Sequence, residues 1–139
     1  MNKENTQKLF DEFPRMFRGH SKGDFGRTLM GFGFMCGDGW FDLIYNLCKA
    51  IQKRINEGLE SEDFIVLEVK EKFAGLRFYC GSATEETFKL IHEAEDQSYH
   101  ICEECGAEGI GYKKTGWYRT LCQKCAGDEW EKVGELFKR

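Results

Sequence analysis

Four of the seven cysteines stand in two pairs that could bind a single metal ion. Cys102 and Cys105 form one Cys-x-x-Cys pair, Cys122 and Cys125 form the other, and sixteen residues separate the inner two. A two-residue gap lets a tight turn direct both sulfurs at one tetrahedral ion, and the spacing is typical of four-thiolate zinc sites. Because four thiolates leave no coordination position open, we expect a structural Zn²⁺ site rather than a catalytic one.

Two alternatives to this metal site remain open at the sequence level. The four cysteines could form two disulfides or remain free thiols. His100, two residues before Cys102, could also replace a ligand. Four thiols need no substitute, so we expect His100 beside the site or at the surface.

Basic and aromatic residues alternate between the two cysteine pairs. This group consists of Lys113, Lys114, Trp117, Tyr118 and Arg119. Cations can bind phosphates and aromatic rings can stack on unpaired bases, so the group is a candidate contact for nucleic acid or for another partner. The ordinary alternative is that Trp117 packs inside the module while the cations are solvated and offset the thiolate charge.

A Glu-x-Lys motif at Glu68 and Lys70 is the second candidate site. In metal-dependent nucleases such a carboxylate binds Mg²⁺ and the lysine lies near the attacking water. Asp38 or Asp42 could supply the additional carboxylate. The ordinary alternative is cross-strand pairing of Glu68 or Lys70 on an exposed face.

The Gly37–Asp42 segment lies at the start of a predicted helix and could bind an anion at the helix N-terminus. Asp38 would repel an anion there, so we expect it to cap the helix instead. Cys36 would be a reactive thiol if the helix end lowered its pKa. No histidine is placed by the sequence to act as its base, which disfavours cysteine catalysis.

The first 37 residues are expected to form a short helix followed by a loop packed on the rest of the protein. Thr6 could cap a helix over 6–13, and Pro14 would end it. Residues 14–37 are rich in glycine and phenylalanine. Because disordered segments are usually poor in aromatic residues, a packed loop is favoured over a disordered tail.

Residues 38–100 are predicted to form an α-β-β-α core. An apolar stripe with helical spacing predicts a helix over 38–57, with Gly58 as its stop. Strands are expected at 64–70 and 76–80, where Ile65, Leu67 and Val69 would share one face. Residues 71–75 would form the hairpin loop, with Gly75 at positive φ.

A capping box from Ser82 to Glu85 predicts a second long helix that reaches about Tyr99, with Phe88, Ile91 and Ala94 buried. Residues 101–139 would form the zinc module, with a C-terminal helix over 126–138 in which Trp130, Val133 and Phe137 would share one face. The expected fold class is α+β: a small, helix-covered antiparallel β-hairpin domain with a C-terminal four-cysteine zinc finger resembling a treble clef.

Composition and charge restrict the functional classes. The net charge is −4, and residues 29–100 carry thirteen acidic and seven basic side chains. An acidic protein is a poor candidate for tight non-specific nucleic-acid binding, although a local basic face can still bind. No long apolar run or signal-peptide pattern occurs, so we expect a cytoplasmic protein without membrane contact, in which metal binding explains the cysteines better than disulfides do.

Four segments together resemble small proteins of tailed bacteriophages with a C-terminal four-cysteine zinc-finger motif: GDGWFDLI (37–44), EKFAGLRFYC (71–80), CEECG (102–106) and GWYRTLCQKCA (116–126). The resemblance implies a phage accessory protein in the bacterial host cytoplasm and carries over no catalytic residue. By analogy with other small phage proteins, the expected function is non-catalytic binding of a host protein, such as a defence or replication factor. The alternatives are a nucleic-acid-binding zinc protein and a metal-dependent nuclease.

Overall fold

A computed structural model describes residues 1–20 and 28–136. Its first helix, α1, spans Lys3–Glu12, and the Asn2 side chain caps it by accepting the backbone N–H of Asn5 at 2.7 Å. The helix predicted near the N-terminus is therefore present, but it begins earlier than expected. Thr6 lies inside the helix and is not its cap.

The residues after α1 contribute large side chains to the main hydrophobic core. Met16, Phe17 and Met30 are fully buried, and Phe34 is nearly so. Single 3-10 turns at Arg18–His20 and Met30–Phe32 interrupt this irregular stretch. Of the predicted loop over 14–37, residues 21–27 lie outside the described part of the chain.

The second helix, α2, spans Phe41–Asn56 and follows a 3-10 turn at Asp38–Trp40. The apolar stripe predicted from the spacing runs from the 3-10 turn into α2. Five of its members are buried, Trp40, Ile44, Leu47, Cys48 and Ile51, and the sixth, Ile55, is half-buried. Gly58 has φ +72°, the left-handed conformation expected of a residue that stops a helix.

The prediction that Asp38 caps this helix is wrong. Its carboxylate accepts the backbone N–H of Asn2 at 2.9 Å and the side-chain amide of Asn5 at 3.1 Å. Asp38 therefore links the start of α1 to the turn before α2. Its carboxylate is occupied by these two hydrogen bonds.

Strands β2 (Ile65–Lys72) and β3 (Gly75–Gly81) form the predicted antiparallel hairpin. The turn between them consists of Phe73 and Ala74, with φ +51° and +72°. Gly75 was expected to take the positive φ, which is wrong: it pairs with Lys72 in the sheet. A Cβ at Gly75 would lie 2.3 Å from the Tyr99 ring, so glycine is required there for space.

A short strand that the sequence did not reveal completes this sheet. Strand β1 (Phe34–Met35) pairs in parallel with Val69–Lys70, giving the order β1-β2-β3. A β-bulge between Val66 and Glu68 shifts the register of β2. Val66 and Val69 are both fully buried as a result, so the predicted strict alternation through Leu67 is wrong.

Helix α3 spans Glu85–Ser98 and is capped by Thr84, whose hydroxyl accepts the Thr87 N–H at 3.4 Å. The predicted capping box therefore starts two residues too early, and Ser82 lies outside the helix at φ +62°. Ile91 and Ala94 are buried as predicted. Phe88 is 41% exposed, which contradicts its predicted place in the core.

Side chains of α3 cover the outer edge of β3. Glu95 accepts the Phe78 N–H at 3.0 Å and Ser98 accepts the Leu76 N–H at 2.8 Å. These bonds satisfy backbone donors that would otherwise invite pairing with another strand.

The C-terminal module contains a second three-stranded sheet. Its strands are β4 (Ile110–Lys114), β5 (Trp117–Leu121) and β6 (Glu131–Gly134), in the order β5-β4-β6. A four-residue helix, α4 (Gln123–Ala126), lies between β5 and β6.

The helix predicted over 126–138 is wrong for the described residues 127–136. Gly127 and Gly134 have φ +57° and +90°, which a helix cannot contain, and β6 instead pairs with β4. The treble-clef prediction rested on the two cysteine pairs, the hairpin between them and that helix together, and it stays a prediction. The mixed α+β class is confirmed, and no helix in the described part of the chain is long and apolar enough to span a membrane.

Candidate metal centre

The four cysteines of the two pairs converge in the C-terminal module. The Sγ atoms of Cys102, Cys105, Cys122 and Cys125 all lie within 4.8 Å of one another. The Cys105 and Cys122 Sγ atoms are 3.7 Å apart, too far for a disulfide. Sulfurs that surround a tetrahedral zinc at about 2.3 Å are separated by about 3.8 Å. The cluster is therefore compatible with a four-thiolate metal site.

Each cysteine pair is shaped by its local backbone. In the first pair, the Gly106 N–H donates to the Cys102 carbonyl at 2.9 Å, and Gly106 has φ +83°, a conformation that suits glycine. In the second pair, Cys122 caps α4 and its Sγ accepts the Cys125 N–H at 3.4 Å. This backbone donor, with contributions from the three neighbouring thiols, lowers the pKa of Cys122 to about 7, whereas the hydrogen bond to Cys122 raises the pKa of Cys125 to about 12. A stabilised thiolate is the form that binds metal.

The remaining cysteines lie outside the cluster. Burial raises the pKa of Cys36 to about 12 and that of Cys80 to about 11, and it also raises the pKa of the fully buried Cys48. The possibility of a reactive thiol at Cys36 is contradicted, because burial and the nearby Glu103 carboxylate both disfavour its thiolate. His100 is exposed and does not belong to the cysteine cluster.

The first cysteine pair is attached to the core through Glu103, a residue that sequence reasoning did not single out. Glu103 is 5% exposed, and its carboxylate accepts the Gly37 N–H at 2.9 Å and the Arg119 Nε–H at 3.1 Å. Its carbonyl accepts the Gly39 N–H at 2.8 Å. The Trp40 indole N–H donates to the Ile101 carbonyl at 2.8 Å.

We call this contact between residues 37–40 and 101–103 the joint. A Cβ at Gly39 would lie 2.1 Å from the Cys102 carbonyl oxygen, and one at Gly37 would lie 2.3 Å from the Glu103 carbonyl oxygen. The two glycines therefore allow the backbones to touch. They allow the C-terminal module to pack against the core, and they do not form the anion-binding site considered from the sequence.

The cations of the predicted contact group are paired with carboxylates. Lys113 Nζ lies 3.8 Å from Glu131 and Lys114 Nζ lies 2.8 Å from Glu129. Arg119 contacts both Glu103 and Glu104, at 3.1 and 2.7 Å. Much of the positive charge expected to bind phosphate is therefore neutralised within the molecule.

The aromatic members of that group are exposed. Trp117 is 72% exposed and Tyr118 is 37% exposed, so the ordinary alternative in which Trp117 fills the module core is wrong. Tyr112 and Leu121 occupy that core together with Ala126 and Cys102.

Trp117 lies beside the turn of the other hairpin. A groove of about 300 Å³ separates the β2–β3 turn from the β4–β5 turn, and six residues line it: Glu71, Lys72, Phe73, Gly116, Trp117 and Tyr118. Phe73 is 69% exposed. We call this feature the aromatic groove.

The Glu-x-Lys motif forms a partly buried ion pair within β2. Lys70 Nζ lies 3.4 Å from the Glu68 carboxylate and 5.9 Å from the centre of the Tyr79 ring on the neighbouring strand. Asp38, one of its suggested partners, is bound to Asn2 and Asn5. Within residues 1–20 and 28–136, the cysteine cluster is the one group of three or more His, Cys, Asp or Glu side chains that is arranged to hold a metal ion.

A scan against protein-family models and searches of curated proteins and of solved structures found nothing that matches this chain.

Proposed function

We propose that this chain is a non-catalytic binding protein that carries one structural Zn²⁺ and recognises another protein. The observation that supports it most is a closed set of four thiolate ligands in a module whose most exposed large hydrophobic side chain is Trp117 and whose Lys114 and Arg119 are already paired with carboxylates. The resemblance described above suggests a bacterial host protein as the partner and the bacterial cytoplasm as the place of binding.

Zinc is supported by the chemistry of the ligands. Four soft thiolates in tetrahedral spacing suit Zn²⁺, which has no redox chemistry and no demanding geometry. With all four positions filled by cysteine, neither water nor substrate reaches the ion. The metal then contributes folding free energy to a module that buries few apolar side chains of its own.

A protein partner fits the charges better than nucleic acid does. Affinity for nucleic acid comes largely from cations that replace counterions on phosphates. Here Lys114 and Arg119 would first have to leave their carboxylate partners. The net charge of −4 adds a general repulsion. Exposed tryptophan and tyrosine are, by contrast, the residues that contribute most at protein interfaces.

Elemental analysis of the purified protein tests the metal assignment. We expect one zinc per chain in the wild type and in Cys80→Ser, because Cys80 lies outside the cluster. Cys105→Ser should lose most of its zinc under mild chelation, since three thiolates and a hydroxyl bind the ion less well. A wild type without stoichiometric metal, or equal zinc retention in both variants, would contradict the assignment.

Affinity capture from a nuclease-treated bacterial lysate tests the binding function. We expect the zinc-loaded protein to retain a stoichiometric protein partner in high salt, and Cys105→Ser to lose it. A parallel titration with single- and double-stranded oligonucleotides should show weak binding. Tight binding with a steep salt dependence would support the nucleic-acid alternative instead. Mg²⁺-dependent cleavage lost in Glu68→Gln would support the nuclease.

A further inference from the structure

We propose that the aromatic groove is the partner-binding site and that it takes a protein segment in which a bulky apolar side chain lies next to a carboxylate. This inference rests on the proposed function, because it identifies the surface and the chemistry by which the protein partner is recognised.

The groove is built between two hairpins whose relative position is fixed. Thr120 on β5 is fully buried, and its hydroxyl donates to the carbonyl of Ala74 at 2.8 Å. This bond joins the second sheet to the turn of the first hairpin, close to Phe73. A groove held in this way loses little freedom when a ligand enters it, which favours affinity.

The walls of the groove have the character of an interface hot spot. Phe73 and Trp117 are 69% and 72% exposed, and they are the two most exposed large hydrophobic side chains in the described part of the chain. A volume of about 300 Å³ lies at the lower limit for ligand pockets. It accommodates one or two side chains of a partner, and an apolar side chain there would cover both rings.

The charged residues that line the groove favour a partner segment in which a carboxylate lies next to the apolar side chain. Glu71 already accepts the Ala74 N–H at 2.9 Å and is partly buried. Lys72 is exposed, lies 6.0 Å from the Phe73 ring centre, and takes part in none of the ion pairs formed among the described residues. The groove therefore offers one accessible cation beside its apolar walls.

The same charges disfavour a single-stranded nucleic acid as the occupant. A base could stack on Trp117, but Lys72 alone would be available among the lining residues to meet phosphate. Neutralising one phosphate gives a salt slope of only about −0.7, far from the multiple contacts that support non-specific binding. A protein segment needs only one such cation, because its affinity comes mainly from the buried apolar side chain.

The test begins with a display selection of random peptides about twelve residues long on the zinc-loaded full-length protein. We expect the selected peptides to place Leu, Met, Phe or Trp next to Asp or Glu. The strongest consensus peptide is then synthesised with a fluorescent label, and its dissociation constant is measured by anisotropy. A failure to enrich any such sequence, or a basic consensus, would overturn the proposal.

Four variants assign the peptide to the groove. Trp117→Thr and Phe73→Asn should each weaken binding by about tenfold or more, since each removes one apolar wall of the groove. Thr is compatible with the strand position of Trp117, and Asn is compatible with the positive φ at Phe73. Lys72→Gln should weaken it by about threefold and flatten its salt dependence. Leu59→Ser, which removes another exposed apolar side chain away from the groove lining, should leave binding unchanged. Zinc content and circular dichroism confirm that each variant is folded.

The outcomes separate this inference from the proposed function. If the captured lysate protein and the peptide bind Trp117→Thr and Phe73→Asn as tightly as the wild type, the groove assignment is wrong while protein binding stands. If no protein partner is retained by the wild type, the proposed function itself is wrong. If labelled oligothymidylate binds tightly and loses affinity in Trp117→Thr, the groove binds nucleic acid and the protein segment is rejected.

Discussion

Glu103 and Glu60 are buried carboxylates in different parts of the fold. Glu103 lies between Cys102 and Cys105 in the sequence, yet its carboxylate oxygens contact Gly37 and Arg119 rather than the cysteine cluster. Glu60 receives N–H and O–H donors at the start of α3. In both cases a buried charge is stabilised by several hydrogen bonds, which is the condition under which such burial is tolerated.

Glu60 gives a prediction with a defined pH dependence. Burial alone would raise its pKa, but hydrogen bonds from Thr87, Ser61 and Thr84 together hold it below the ordinary value of 4.5. The ionised form is therefore favoured by folding. Its contribution is complete above pH 4.5 and is lost as the pH falls below that value toward the folded pKa.

We expect Glu60→Gln to lower the free energy of unfolding by about 1.5–3 kcal/mol at pH 7, the range for hydrogen bonds to a charged group. The difference from the wild type should shrink as the pH falls through the pKa of Glu60. Denaturant unfolding at a series of pH values measures it. Glu62→Gln, at an exposed neighbouring position, should cost less than about 0.5 kcal/mol. A difference that stays constant with pH would show that the charge of Glu60 is not what matters.

At the level of elements, the joint is the contact that positions the C-terminal module against the core. It consists of backbone-to-backbone contact between the turn before α2 and the first cysteine pair, and Gly39 is the closest point. Because both partners at this point are backbone, neither can rotate away from an added side chain. A methyl group there must displace one segment.

We therefore expect Gly39→Ala to destabilise the protein by about 3 kcal/mol, the upper part of the usual range for overpacking, and to weaken zinc retention. Thermal unfolding and a competition with a zinc chelator measure the two effects. The matched control is Gly81→Ala, where the added Cβ would lie 3.5 Å from Ile65, an ordinary contact. Equal behaviour of the two variants would show that the joint is not a tight contact in solution.

The elements that sequence predicted correctly are those with long periodic patterns. Helix α2 follows an unbroken apolar stripe, and the β2–β3 hairpin follows two alternating runs. Strand β1 contains only two residues and exists because it pairs in parallel with a distant strand, so no local pattern indicates it. The bulge in β2 was not predicted for the same reason, because it depends on how β2 packs against segments that are distant in the sequence.

The end of the chain shows how a helical spacing can mislead. Trp130 and Val133 lie three residues apart, which suggested one helix face, yet Val133 is 38% exposed in β6. Pairing with β4 satisfies the backbone of this segment, and Gly127 and Gly134 supply the conformations that the pairing needs. Tertiary pairing outweighed the local pattern.

The candidate site was predictable only in part. The cysteine spacing identified the cluster, because two-residue gaps restrict the geometry locally. The exposure of Trp117 was not predictable, since the face of a strand that becomes buried depends on what packs against the sheet. Glu103 gave no signal in the sequence, because its partners at Gly37 and Arg119 are brought to it by the fold.

For the whole molecule, the joint implies that metal binding and core stability are linked. Removing the ion should loosen the first cysteine pair, and with it the hydrogen bonds that Glu103 and Ile101 make to Gly37, Gly39 and Trp40. The core would then lose the support of the metal module at the start of α2.

We expect a zinc chelator to speed hydrogen exchange at the Gly39 amide and the Trp40 indole as well as within residues 101–126. Exchange measured by NMR, with and without the chelator, tests this. The amide of Ile51, deep in α2, is the internal control and should remain protected. Unchanged exchange at Gly39 after the metal has left would show that the two parts are energetically independent.

At the Phe73–Ala74 turn, thermal stability and the proposed partner binding favour different residues. Two-residue hairpin turns with both φ values positive prefer Asn-Gly, and L-residues such as Phe and Ala are strained there. A design for thermostability alone would therefore replace the pair with Asn-Gly, and the same substitution would remove Phe73, one of the two most exposed large hydrophobic side chains among the described residues. Engineering for robustness should leave this turn untouched and look for its gains elsewhere.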